Sequence, residues 1–143
     1  LARLDPARDS FALMHMDLDK FKAVNDTLGH AAGDHVLRHV GQVLSEATRV
    51  GDLPARIGGD EFVILLPGLT DRAQIAAIAT RIIDTLSQPV PFGGVICDVS
   101  CSIGIALSDA YAHPDPARMM ADADRALYRA KAEGRGCHRF FQP

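Results

Sequence analysis

Two adjacent carboxylates, Asp60 and Glu61, follow the glycine pair Gly58-Gly59 inside the stretch RIGGDEFVILL, whose flanks otherwise read as strand. A hairpin turn is served by Asn-Gly or Asp-Gly and does not need a second acid beside the first. A third carboxylate, Asp17, closes the apolar run Phe11 to Met16, which places it at the C-terminal end of a predicted buried strand. Acids so placed suit hard divalent cations such as Mg²⁺, which take carboxylate and carbonyl oxygens and bridge protein acids to substrate phosphates. A pair of ions about 3.5 to 4 Å apart serves both the attacking and the leaving oxygen of a phosphoryl transfer. Gly58 and Gly59 then let phosphates approach a bare backbone. The bland alternative is a glycine turn with solvated acids, and on these residues alone the two readings carry comparable weight.

Other polar residues bear on the choice. Asp124, Tyr128, Lys131 and Arg135 recur at i, i+4, i+7 and i+11, one stripe of a helix opposite Met120, Ala123, Leu127 and Ala130. Two cations on that stripe suit a triphosphate, although surface salt bridging is by itself the better account of such a pattern. Asn25 and Asp34 form a second pair. The Watson-Crick edge of guanine offers neighbouring donors that one carboxylate accepts together, whereas adenine presents a ring acceptor there, so an Asp selects guanine. The competing account makes Asp34 a helix cap and Asn25 a surface residue, and spacing does not separate the two.

The elements that must position these groups follow from periodicity. After the strand Phe11 to Met16, the residues Phe21, Val24 and Leu28 recur at helical spacing and stop at Gly29, a typical helix terminator. A second helix carries Val36, Leu37, Val40, Val43, Leu44 and Ala47 on its apolar face, with Asp34 near its start after the connection Gly29 to Gly33. Strands are predicted over Leu53 to Ile57 and Phe62 to Leu66, making Gly58 to Glu61 the hairpin between them. A helix marked by Ile75, Ile78, Ile82 and Leu86 comes next, then strands at Val90 to Phe92 and Val95 to Leu107 around Gly93-Gly94. Pro114 and Pro116 introduce a last helix running to about Gly134, and Cys137 to Phe141 offers a terminal strand. This order predicts an α/β domain with a mostly antiparallel sheet and helices on its faces. If the Asp17 strand neighbours the hairpin, Asp17, Asp60 and Glu61 converge at one edge.

With 143 residues, 48% of them hydrophobic and 23% charged, the chain reads as a single compact domain with a substantial core. A net charge of -3 gives no bulk electrostatic hold on a polyanion, so a nucleic acid polymer is not the expected partner. No apolar run approaches the roughly 20 residues of a membrane span and no signal pattern opens the chain. The expected location is cytoplasmic, with any membrane anchor of a longer protein lying outside this sequence. Cys97, Cys101 and Cys137 form an odd set without C-x-x-C, which argues for reduced, mostly structural cysteines.

Taken together, these residues resemble the GGDEF family, the bacterial diguanylate cyclase domain. The resemblance rests on D-L-D-K-F-K-A-V-N-D-T-L-G-H-A-A-G-D at Asp17 to Asp34, R-V-G-D at Arg49 to Asp52, R-I-G-G-D-E-F at Arg56 to Phe62, S-I-G-I-A at Ser102 to Ala106 and A-D-R-A-L-Y-R-A-K-A-E-G-R at Ala123 to Arg135. One pentapeptide is weak evidence, whereas ordered blocks over nearly the whole chain are strong. The resemblance implies a palm or nucleotide-cyclase-like fold, with a five-stranded, mostly antiparallel sheet flanked by helices and a small peripheral hairpin.

It further implies condensation of two GTP molecules into cyclic di-GMP with release of two pyrophosphates. Asp17, the Leu18 carbonyl and Asp60 are then ligands of Mg²⁺ (or Mn²⁺), and Glu61 assists the metal or deprotonates the attacking 3′-hydroxyl. Asn25 and Asp34 read guanine, while His30, Lys131 and Arg135 place the nucleotide and its phosphates. Phe21 packs beside this site and Lys22 reaches towards phosphate. One GTP per domain makes a second GGDEF domain, in a homodimer, a requirement of catalysis. Arg49 and Asp52 fall where the family places its inhibitory product site, and arginine pairs bidentately with phosphate. A helix-end cation beside a turn Asp is the alternative there.

Two departures complete the reading. Family members usually begin with a segment like D-x-L-T-x-L-x-N-R and a helix ahead of the first strand, whereas only LARLDPARDS precedes Phe11. Residues 1–143 are therefore expected to be one N-terminally trimmed domain. The ending C-H-R-F-F-Q-P resembles the join to an EAL phosphodiesterase domain, which brings in a rival function: a catalytically silent domain that binds GTP or cyclic di-GMP and regulates a linked EAL partner.

Overall fold

Residues 9–142 are described by a computed structural model. The first eight residues, on which part of the expected N-terminal shortening falls, lie outside the described residues. The chain runs β1 (Phe11–Asp19), α1 (Phe21–Leu28), α2 (His30–Ala47), β2 (Leu53–Gly58), β3 (Glu61–Pro67), α3 (Arg72–Leu86), β4 (Val90–Phe92), β5 (Val95–Cys97), β6 (Ser100–Leu107), α4 (Pro116–Ala132) and β7 (His138–Phe140). Five strands form one sheet in the order β2-β3-β1-β6-β7, and β4-β5 is a separate hairpin. Within the large sheet β7 pairs parallel with β6, and the other neighbours are antiparallel. The expected architecture is the observed one.

β1 is the central strand and is covered on both faces, which is why its sequence is an almost unbroken apolar run. Alternate side chains serve different layers. Ala12, Met14, Met16 and Leu18 join the main core with Val36 and Val40 of α2 and Ile75 and Ile82 of α3. Phe11 and Leu13 point the other way, into a smaller cluster with Ala106, Met119 and Ala123 beneath α4. Each fully buried aliphatic side chain of this kind contributes about 1.5–3 kcal/mol. His15, Asp17 and Asp19 continue the second face, so the α4 side of β1 turns from apolar to ionisable along its length.

The helices start and stop for local reasons. Asp71 caps α3 by accepting from the Ala73 amide at 2.9 Å, and Asp115 caps α4 from the Ala117 amide at 3.1 Å, with Pro116 in the first turn. Arg129 and Lys131 occupy the last turn of α4, where cations oppose the carbonyl end of the helix dipole. α4 lies closely on β6 because residue 104 is glycine: a Cβ there would lie 2.0 Å from the Ala123 carbonyl oxygen and 2.3 Å from the Leu127 nitrogen.

Several boundaries differ from expectation. β1 runs on through Asp19, so Asp17 lies within the strand and not at its end, because pairing with β3 and β6 continues past the apolar run. The connection Gly29 to Gly33 shrinks to Gly29 alone, since α2 begins at His30. Asp34 therefore sits in the second turn of α2 and caps nothing. The strand predicted over Val95 to Leu107 is interrupted at Asp98-Val99. α4 ends at Ala132, and its fully buried methionine is Met119, with Met120 only half-buried. Arg135 is thus off the helix, in a turn where its φ is 64° between Gly134 and Gly136. Among the described residues no helix is long and apolar enough to cross a membrane, and Cys97, Cys101 and Cys137 are free.

Candidate functional site

Strand register brings the acids together. Asp17 of β1 stands directly opposite Glu61 of β3, and the Leu18 amide donates to the Asp60 carbonyl at 3.0 Å across the same rim. Gly59 and Asp60 form the two-residue link between β2 and β3. Neither Gly58 nor Gly59 has a positive φ, and a Cβ at either meets nothing within 4 Å. Neither backbone strain nor packing therefore calls for glycine here. What the pair supplies is open space beside the acids.

The Asp17 side chain is 13% exposed, and its Oδ2 is paired with Lys131 Nζ of α4. Its Oδ1 is buried and has no hydrogen-bond partner. Burial first, then the charge of neighbouring Asp17, hold the Asp60 carboxyl above its ordinary value, opposed by a backbone hydrogen bond and by Lys131. Two carboxylates crowded together, one with an orphaned oxygen, form a donor set that fits a hard divalent cation. Leu18 is buried between the two acids of β1.

The remaining predicted residues take distinct places. Phe21 is buried in the core, while Lys22, His30 and Asp34 are exposed. Asn25 lies against Gly33, where a Cβ would come within 1.8 Å of Asn25 Oδ1, so the α1–α2 corner brings Asn25 to the residue preceding Asp34. Arg135 does not share a stripe with Lys131. From its turn it reaches the buried carboxylate of Asp19 at 3.2 Å. Arg49 and Asp52 are paired with each other at 2.9 and 3.2 Å, and Arg49 also donates to the Pro67 carbonyl at 3.0 Å. The Asp52 hydrogen bond raises the Arg49 guanidinium further above its usual range.

Three residues at this rim escaped the sequence reading. Asp19, 2% exposed, accepts from the Ser102 hydroxyl at 2.9 Å and the Gly136 amide at 3.3 Å besides Arg135, and so ties the turn after α4 to β1. His15 is buried with Nε2 at 3.2 Å from Glu61 Oε1 and Nδ1 at 3.4 Å from Asp124 Oδ1. With Glu61 and Asp124 it forms a group whose ligand atoms lie within 4.8 Å of one another. Arg56 holds the hairpin link through a 2.9 Å bond from its Nε to the Gly59 carbonyl. The available signal was the period of two: His15 and Asp19 flank Asp17 on the same strand face, and His15 is the polar interruption in FALMHM.

Fold and site together define a palm-like α/β domain that gathers acids and cations at one rim of its sheet. The chain belongs to the GGDEF family: the family model described as diguanylate cyclase, GGDEF domain, matches residues 1–137, and this family generally uses a divalent metal. Diguanylate cyclase TpbB of Pseudomonas aeruginosa is 42% identical over 133 residues, which are 92% of this chain and 30% of that protein. The crystal structure of the GGDEF domain of TpbB superposes with a TM-score of 0.86 at 40% identity, covering 95% of this chain and 84% of the other. Cyclic di-GMP phosphodiesterase PdeR of Escherichia coli is 39% identical over 131 residues, 92% of this chain and 20% of its own length. The chain thus spans less than a third of these curated relatives.

Proposed function

We propose that this domain is a diguanylate cyclase that joins two GTP molecules into cyclic di-GMP, with Mg²⁺ or Mn²⁺ held by Asp17, the Leu18 carbonyl and Asp60. The observation that carries the reading is the crowding of Asp17 and Asp60, with one Asp17 oxygen buried and unpartnered. A bound divalent cation supplies charge neutralisation on the phosphates and the developing alkoxide. The chain does the rest. Asn25 and Asp34 hold guanine at the α1–α2 corner, and the open backbone at Gly58 and Gly59 admits the phosphates. Lys131, packed against Asp17, and Arg135, aimed by Asp19, face the triphosphate. Glu61 serves the metal or takes the 3′-hydroxyl proton.

In each half-reaction the 3′-oxygen of one GTP bonds to the α-phosphorus of the other, the bond from α-phosphorus to bridging oxygen breaks, and pyrophosphate leaves. The two nucleotides must lie in line, and one domain presents one of them, so two domains face each other in the working enzyme. The product retains guanine and phosphate groups, and the Arg49-Asp52 pair is its inhibitory site, reached when Arg49 exchanges part of its bonding to Asp52 for phosphate.

The test is to dimerise the chain through a fused coiled coil, supply GTP and Mg²⁺, and measure cyclic di-GMP against an Asp60→Ala, Glu61→Ala control. The expected result is product from the unsubstituted chain only. The likeness to PdeR supports one second reading, a silent GTP- or cyclic di-GMP-binding domain that regulates a linked EAL phosphodiesterase. Retained GTP binding with no product above the control favours that reading.

A further inference from the structure

We propose that His15 is a positioning residue that holds the Glu61 carboxylate in its working orientation, an inference that rests on the role given to Glu61 above. His15 stands two residues before Asp17 on the same face of β1. Its side chain is 6% exposed, whereas those of its two partners, Glu61 and Asp124, are 45% and 65% exposed. A buried imidazole therefore grips carboxylates that solvent would otherwise leave free to rotate.

The slot it occupies is built by the fold. In register, Val63 of β3 and Gly104 of β6 are the lateral neighbours of His15. The missing side chain at Gly104 lets α4 down onto the sheet at Ala123, and the next residue, Asp124, comes over the imidazole at 3.4 Å from Nδ1. Nε2 meets Glu61 Oε1 at 3.2 Å. Nδ1 is buried and has no aligned hydrogen bond, so the Glu61 contact is the one the ring geometry favours.

Stability alone does not account for a histidine here. The same face is lined by Phe11, Leu13, Ala106, Met119 and Ala123, and an apolar side chain of similar volume would continue that cluster without polar groups to desolvate. Glu61 and Asp124 are 45% and 65% exposed, so water takes over their hydrogen bonding when the imidazole is removed and no buried charge is stranded. What the imidazole provides is order in Glu61. Outer partners of this kind fix the orientation of carboxylates that touch metal or substrate, and their loss typically costs about 10–100-fold in metal affinity or activity.

The experiment compares His15→Leu, His15→Gln and His15→Asn in the full chain. The glutamine amide nitrogen extends about as far as Nε2 and can still donate to Glu61, whereas the shorter asparagine reaches only to the Nδ1 position and faces Asp124. Thermal unfolding, GTP affinity and Mn²⁺ affinity with a non-reactive GTP analogue are measured on the chain, and kcat and KM on its coiled-coil dimer. For His15→Leu the expected result is unfolding at or above the unsubstituted temperature, GTP affinity within about twofold, and Mn²⁺ affinity or kcat lowered about 10–100-fold. His15→Gln restores most of that loss and His15→Asn does not.

Unchanged Mn²⁺ affinity and kcat in a folded His15→Leu protein overturn the proposal. So do losses that track unfolding temperature in all three variants. If His15→Leu does not fold, equal behaviour of the Gln and Asn variants overturns it in the same way. A chain that makes no cyclic di-GMP refutes the cyclase reading, and the Mn²⁺ arm then decides the role of His15 by itself. A chain that neither makes product nor binds Mn²⁺ overturns both.

Discussion

Substituting Gly104 by alanine tests whether the approach of α4 to β6 sets both stability and site geometry. The new Cβ would lie 2.0 Å from the Ala123 carbonyl oxygen, 2.3 Å from the Leu127 nitrogen and 2.9 Å from the Leu127 Cα. All three obstacles are backbone, so no side chain can swing aside, and α4 must retreat by roughly 1 Å or more to restore ordinary contact. Overpacking of a core costs about 1–3 kcal/mol, and a rigid obstacle points to the upper end. At about 2–4 °C per kcal/mol for a chain of this size, the unfolding temperature should fall by about 6–12 °C. The same retreat draws Lys131 from Asp17 and Asp124 from His15, and a displacement of about 1 Å at a reacting centre costs up to about 100-fold in rate.

Gly41 supplies the control, because nothing lies within 4 Å of its would-be Cβ and it sits inside α2. Gly41→Ala should stabilise by about 0.5–1 kcal/mol. Circular-dichroism melts and initial rates of cyclic di-GMP formation by the coiled-coil dimers provide the measurements. A Gly104→Ala protein that melts within about 2 °C of the unsubstituted chain and keeps its rate refutes the reasoning.

Three further outcomes are expected. Gly33→Ala meets only the movable end of Asn25, 1.8 Å from Oδ1, so stability should change by less than about 1 kcal/mol while GTP affinity falls about tenfold; an unchanged GTP affinity removes Asn25 from guanine recognition. The folded chain holds the Asp60 proton above the ordinary 3.8, so the native state binds more proton than the unfolded one. Without metal, the Asp60 contribution to stability therefore falls as pH rises from about 4 through the raised value, and Mg²⁺ should raise the melting temperature more near neutrality than at about pH 4. Equal Mg²⁺ effects at both pH values would contradict this. Arg49→Ala should weaken cyclic di-GMP binding and inhibition at least about tenfold and lower the melting temperature by leaving buried Asp52 without its cation; calorimetric affinity and inhibition that match the unsubstituted chain would refute the product site.

Much of the fold was legible because its determinants are local. Strand and helix periods, the caps Asp71 and Asp115, and the glycine punctuation act over a few residues. The errors fell where local signals stop short of tertiary ones. Helical spacing alone puts Arg135 on the stripe of Lys131, yet Gly134 and Gly136 flank a left-handed turn that sends Arg135 back to Asp19. His15 was only a polar interruption, since its partners lie 46 and 109 positions away.

The chain's order of residues was enough to specify which groups carry charge, which faces are apolar and which acids belong to one motif. Only the folded sheet decided that Asp17 stands across from Glu61, that Lys131 pairs with Asp17 and leaves one Asp17 oxygen unpartnered, and that His15 lies between Glu61 and Asp124. The physical reason is range. Backbone propensity and side-chain period are properties of neighbouring residues, whereas strand order, register and the close seat of α4 on Gly104 arise from hydrogen bonding and packing between segments far apart in the chain.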